Sequence, residues 1–104
     1  MVGVYDFHVA RLYQYFLQEL DRTYYVVHSL DGYDEISLTS DSKIIGQGVE
    51  TILRSKDFNL PEYQPEQLFG GDSVADAAKI FVDILDNKAT PAQQDVVLAN
   101  AGLA

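Results

Sequence analysis

Tyr24-Tyr25-Val26-Val27-His28 is a run of aromatic and β-branched residues without polar alternation, bounded on both sides by polar segments. Such residues favour a pleated backbone, and an unalternated run implies a strand covered on both faces, as in a parallel sheet. The fold must therefore place a layer on each side of that strand. The preceding residues supply one of them. Val9, Leu12, Tyr13, Phe16, Leu17 and Leu20 recur at three- and four-residue intervals, which predicts an amphipathic helix from about Phe7 to Asp21. Asp6 is placed to cap it, because its carboxylate can accept from the free N–H groups of the first turn. The aromatic series Tyr13, Tyr15, Phe16, Tyr24 and Tyr25 reads as core and sheet-covering surface.

After the strand, Ser29 to Glu35 is polar with a central Gly32, the composition of a loop. Ile36-Ser37-Leu38-Thr39 alternates and predicts a second strand. Lys43-Ile44-Ile45 and Val49 to Leu53 flank Gly46-Gln47-Gly48, which predicts a β-hairpin. Asn59 tolerates the left-handed region and Pro61 stops a helix, so Asp57 to Pro61 reads as a turn. Ser73 with Asp76 resembles a capping box ahead of the helical spacing of Val74, Ala77, Ala78, Phe81, Ile84 and Leu85. Thr90, Pro91 and Gln93 form a second box opening a last helix, Pro91 to about Ala101. The predicted fold is α/β: a partial sheet of three to four strands with a β-hairpin, flanked by an N-terminal helix and two C-terminal helices. Residues 1–104 read as a single partial domain of a larger α/β domain.

Composition narrows the functional classes. Cysteine is absent, which removes disulfide scaffolds, thiolate metal sites and Cys nucleophiles. Sixteen acids against seven bases give a formal charge of −9, and the Lys and Arg residues are scattered. Nucleic-acid affinity rests on basic groups that neutralise phosphates, so a nucleic-acid partner is not expected. The same field disfavours a phosphorylated ligand unless a divalent cation accompanies it. With no targeting segment and no apolar run near the ~20 residues of a membrane span, a cytoplasmic protein without a membrane partner is expected.

The residues best suited to chemistry are Asp31, Asp34 and Glu35, in the loop that leaves the apolar strand. Ligands of α/β sheets bind at such carboxyl-end loops. Adjacent carboxylates in a Gly-containing loop can converge on a hard cation, and magnesium needs only one or two of them beside waters and substrate phosphates. A solvated acidic loop is the plain alternative. His28, at the strand end, is read as a packed, hydrogen-bonded histidine or as a ligand-facing base. Gly70-Gly71-Asp72 reads as helix lead-in, since Asp72 repels anions. Ser37 and Thr39 lack a nearby histidine, so no nucleophile is assigned.

His28 to Ser37 resembles the V-H-G-x-x-G-x-D-E-I/V/L-S/T segment of the anthranilate phosphoribosyltransferases, of the glycosyltransferase family 3 type. Val2-Gly3-Val4-Tyr5 is similar to that family's G-V-Y/F stretch, and Asp57-Phe58-Asn59-Leu60 to its D-F-G-L turn. Leu68-Phe69-Gly70-Gly71-Asp72 with Ala77 resembles its L-x-G-G-x-x-x-x-N-A, and Leu98-Ala99-Asn100-Ala101 its L-L-N-A. The ordered set is far more specific than any one match. It implies transfer of a phosphoribosyl group from phosphoribosyl pyrophosphate to anthranilate in tryptophan biosynthesis. Asp34 and Glu35 would be ligands of Mg²⁺, His28 would lie near substrate, and no residue of this chain would be a covalent catalyst.

The departures bound that implication. The family's G-T-G-G-D pyrophosphate loop, its K-H-G-N-R-x segment, its anthranilate-contacting Arg and its dimer-forming helical domain correspond to nothing in these residues. The matched region is read as roughly the last third of such an enzyme, inactive by itself. Ser29 and Asn59 replace Gly and Asp76 replaces Asn; Ser29 is expected to crowd a ligand. Two other readings stay open: a pyrimidine nucleoside phosphorylase-like or non-catalytic paralogue, and a stand-alone interaction module.

Overall fold

The apolar run becomes the middle of a four-stranded sheet in the computed structural model, which describes residues 1–104. The strands are β1 (Val2–Gly3), β2 (Tyr25–Ser29), β3 (Ser42–Gly46) and β4 (Val49–Leu53), paired in that order. The helices are α1 (Phe7–Leu17), α2 (Val74–Leu85) and α3 (Pro91–Leu103), with short 3₁₀ turns at Ser55–Phe58 and Pro65–Leu68. The α/β class, the hairpin and the helix order agree with the sequence reading.

Both faces of β2 are covered, as the unalternated run requires. On one face Val26 and Ile45 pack with Val4, Tyr24 and Ala10 of α1. On the other, Val27 and Ile44 pack with Ile36, Leu38, Tyr63 and two alanines of α3, Ala92 and Ala99. Small residues on α3 let the helix approach the segment beneath it. The strand directions differ from expectation. Only β1 runs parallel to β2, with Val2 opposite Val26, while β2–β3 and β3–β4 are antiparallel. Double coverage here comes from α1 on one side and α3 with irregular chain on the other, so burial did not require an all-parallel sheet. The hairpin closes through Gln47-Gly48, with Gly46 still paired to Val49 and Gly48 at φ 73°.

Ile36 to Thr39 is not a strand. Leu38 sits at φ 59° and is 1% exposed, a left-handed conformation that L side chains adopt at a cost and that no ladder accepts. The alternation nevertheless has structural meaning. Ile36 and Leu38 enter the core, while Ser37 Oγ and Thr39 Oγ1 donate to Asp31 Oδ2 at 3.2 and 2.5 Å. The fourth strand is instead Val2–Gly3, too short for a periodic signal and extended by Val4 N–H donating to the Val27 carbonyl.

Helix α1 ends at Leu17, not Asp21, and its buried contact centres on Ala10 with Val9 and Leu17 alongside. Leu12 and Phe16 are more than 60% exposed, and of the aromatic series only Tyr24 is buried. The apolar stripe is thus wider than the surface it covers. Asp6 caps the helix, accepting from the N–H groups of His8 and Val9. Thr90 and Gln93 form the expected box on α3, which extends to Leu103. At α2, Ser73 caps the Asp76 N–H, but the Asp76 carboxylate accepts from the Ser73 hydroxyl instead of its N–H, so the box is half closed. Asn59 takes the left-handed conformation anticipated for it, φ 57°. No helix is long and apolar enough to cross a membrane.

Candidate functional site

Strands β1 and β2 are parallel, and the acidic loop leaves the carboxyl end of β2 beside the carboxyl end of β1. This is where an α/β sheet presents ligands. The loop's neck is tied by its own polar groups. Ser29 N–H donates to the Tyr33 carbonyl at 3.0 Å, and Gly32 N–H to the Ser29 carbonyl at 2.9 Å. Gly32 has φ 96°, so the central glycine is required by the backbone.

Ser29, expected to crowd a ligand, does something else. Its side chain is fully buried, shares a 2.6 Å hydrogen bond with Ser42 across the β2–β3 pair, and donates to the Glu35 carbonyl at 2.7 Å. The hydroxyl braces the loop from inside. Asp31 is likewise spent internally, on Ser37 and Thr39. Gly3 explains itself by contact: a Cβ there would stand 1.7 Å from the Asp34 carbonyl oxygen, so β1 abuts the loop at a position only glycine can fill.

Asp34 and Glu35 are left over. Both are exposed, and neither carboxylate takes part in a hydrogen bond or ion pair. The four ion pairs of the chain use other acids, joining Lys43 to Glu50, Arg54 to Asp41, Lys79 to Asp83 and Lys88 to Asp86. Asp34 backs onto Gly3, while Glu35 borders a cleft of about 180 Å³ whose wall includes Ile80 and Ile84 of α2, Val96 of α3, and Phe69 from the segment before α2. No third His, Cys, Asp or Glu gathers with them. Two unpaired hard-oxygen donors fit a magnesium ion that keeps waters and phosphate oxygens in its shell, and do not amount to an all-protein cage.

His28 is 8% exposed, and its Nδ1 lies 3.0 Å from the Val4 carbonyl, which makes Nδ1 the protonated nitrogen and stitches β2 to the end of β1. The packed histidine of the sequence reading is what the structure contains. No fully buried side-chain nitrogen or oxygen lacks a partner, so Nε2, which has no protein partner, is not fully buried.

Asn100, to which the sequence assigns no role, holds the far side of the loop. Asn100 of α3 accepts from Ile36 N–H at 2.9 Å and donates to the Ile36 carbonyl at 2.8 Å and the Val96 carbonyl at 2.9 Å. It pairs with Ile36 as a neighbouring strand would. A polar residue inside the otherwise small, apolar Leu98-Ala99-Asn100-Ala101 was the available signal.

The chain matches the family model described as the glycosyl transferase family, a/b domain, over residues 1–104. It is 49% identical over 104 residues to the anthranilate phosphoribosyltransferase of Cytophaga hutchinsonii, covering 100% of this chain and 32% of that protein. The enzymes of the same name from Bacteroides thetaiotaomicron and Christiangramia forsetii are 47% and 46% identical, each with 100% of this chain and 31% of the relative covered. The chain thus spans about a third of the length of these curated relatives. A family match that runs the full 104 residues, through the acidic loop and the Asn100 clamp alike, means that this chain belongs to the glycosyl transferase family, within its a/b domain.

Proposed function

We propose that these residues form the magnesium-bearing portion of an anthranilate phosphoribosyltransferase, with Asp34 and Glu35 as the metal ligands. The observation that carries the reading is the pair of uncommitted carboxylates at the carboxyl end of the parallel strands, on a loop whose Ser29 and Asp31 side chains are engaged within the fold. The relatives are named for phosphoribosyl transfer to anthranilate, and the reading takes phosphoribosyl pyrophosphate as the donor, the anthranilate amine as the acceptor and the reaction as a step of tryptophan biosynthesis. Bound Mg²⁺ would offset the charge of the departing pyrophosphate. The residues of this chain do the holding. Ser29 and Asn100 fix the main chain at Glu35-Ile36, Gly3 lets β1 support Asp34, and the carboxylates face solvent without competing cations. His28 is the penultimate residue of β2, and its Nε2, which has no protein partner, is the ring nitrogen left to accept a hydrogen bond from substrate. No protein nucleophile enters the scheme. The pyrophosphate loop and dimer-forming domain of the family would have to be supplied, so the isolated chain turns nothing over.

Co-expression with the preceding two thirds of the Cytophaga hutchinsonii relative tests this. Anthranilate consumption that requires both phosphoribosyl pyrophosphate and Mg²⁺ is expected. Asp34→Asn and Glu35→Gln should each lower it by about 10²–10³-fold, the scale of losing a major electrostatic stabiliser of developing charge. Full activity in both variants would remove the proposed chemistry, and turnover with free phosphate and a nucleoside would point to the phosphorylase alternative.

A further inference from the structure

The peptide unit between Glu35 and Ile36 is held at both ends by side chains from distant elements. Its carbonyl, on Glu35, accepts from Ser29 Oγ of β2 at 2.7 Å. Its N–H, on Ile36, donates to Asn100 Oδ1 of α3 at 2.9 Å. The Asn100 amide is itself immobilised, because Nδ2 donates both to the Ile36 carbonyl and to the Val96 carbonyl one turn earlier in α3. Burial of Ile36 alone would not need this. The Ile36 side chain is already 2% exposed within the core cluster. Pinning the 35–36 plane fixes the backbone rotation that decides where the Glu35 carboxylate leaves the chain, on a loop segment that has no strand pairing to fix it.

We propose that Asn100 is a positioning residue, whose two-sided hydrogen bonding to Ile36 holds the Glu35 carboxylate in place to share a divalent cation with Asp34. This rests on the magnesium reading above and adds to it the element that sets the site's geometry. An aspartate cannot replace it: the carboxylate could still accept from Ile36 N–H but has nothing to donate to the Ile36 or Val96 carbonyl. A preorganised pair of ligands binds a cation more tightly than the same pair on a mobile loop, because less ordering is left to the binding step.

The test uses the 104-residue chain and Mn²⁺ as the probe, read by selective broadening of backbone amide resonances. Mn²⁺ should broaden Asp34 and Glu35 first, and Glu35→Gln should raise the Mn²⁺ concentration needed. Asn100→Ala should raise it at least threefold and expose the Ile36 amide to rapid hydrogen exchange, with helical circular dichroism retained. Should Asn100→Ala fail to fold, Asn100→Asp decides. Its added negative charge would by itself strengthen cation binding, so a weakening supports positioning, and unchanged or tighter binding overturns it. If Glu35→Gln weakens Mn²⁺ binding while folded Asn100 variants do not, the positioning role falls and the magnesium reading stands. If Glu35→Gln binds as the parent does, the magnesium reading itself fails and the positioning role falls with it.

Discussion

Gly3 illustrates how a single residue can be dictated by a neighbour's main chain instead of its own torsion angles. The backbone of β1 passes so near the Asp34 carbonyl that a methyl group would overlap it at 1.7 Å. That oxygen belongs to a backbone braced on both sides and cannot swing away as a long side chain would. Gly3→Ala should therefore destabilise the fold by about 1–3 kcal/mol, the usual range for forced overpacking, measurable by urea denaturation. A cost near zero would mean that the loop moves aside, and the Asp34 amide resonance would then shift. Ser29 is the complementary case. A hydroxyl where the family pattern has glycine looked like an intrusion into a ligand space, and turned out to be a buried brace joined to Ser42.

Among elements, α3 does the most for the site while looking ordinary in sequence. Its Ala92 and Ala99 pack into the core beside Val27 and Ile44, Asn100 grips Ile36, and Asp95 accepts from Tyr63 at 2.6 Å. The last bond ties α3 to the irregular chain after β4, and it has a pH signature. The Tyr63 phenol is held above its ordinary pKa by donating to the Asp95 carboxylate, with burial and the negative charge of Asp95 adding to the effect. A raised pKa in the folded state means that the bond's contribution is complete below the unfolded tyrosine value of about 10. It is lost as pH rises from there through the folded value. The stability advantage of the parent over Tyr63→Phe should accordingly shrink from about pH 10 upward, as followed by urea titrations at stepped pH. An advantage that stays constant through that range would show that the bond does not govern the alkaline limb. Helix α2 behaves oppositely, since only Ile80, Asp83 and Ile84 are partly buried along its length.

Taken whole, the molecule is loose for its length. Only 17 of 104 residues are buried, and the Cα radius of gyration is 14.8 Å, where a compact chain of this size has roughly 13 Å. The excess has a visible source: α1 exposes Leu12, Tyr15 and Phe16, and α2 exposes Val74, Phe81 and Leu85, with Val74 at 87%. Apolar faces of that kind associate in water. The isolated chain should self-associate with increasing concentration, and Phe81→Glu with Leu85→Glu should shift it toward monomer without lowering the melting temperature by more than a few degrees, since neither side chain is in the core. Light scattering coupled to size exclusion measures the first and calorimetry the second. A concentration-independent monomer would mean that these faces are tolerated in solvent.

The local sequence determined what depends on local physics. Asp6, Ser73 and Thr90 announced their helix starts because capping involves groups three residues apart, and Asn59 its left-handed turn. The run through Val26 and Val27 required cover on both faces, and the ordered motifs identified the family. Tertiary structure alone decided the rest. Ile36 to Thr39 has the alternation of a strand, but Ile36 is paired to the side chain of Asn100, 64 positions away, and the Leu38 carbonyl to the N–H of Tyr63, while Leu38 turns back into the core. Alternation records which way side chains point and carries no information about what satisfies the backbone. Whether Asp34 and Glu35 were free or paired was equally unreadable, because every competing cation could have reached them only through the fold.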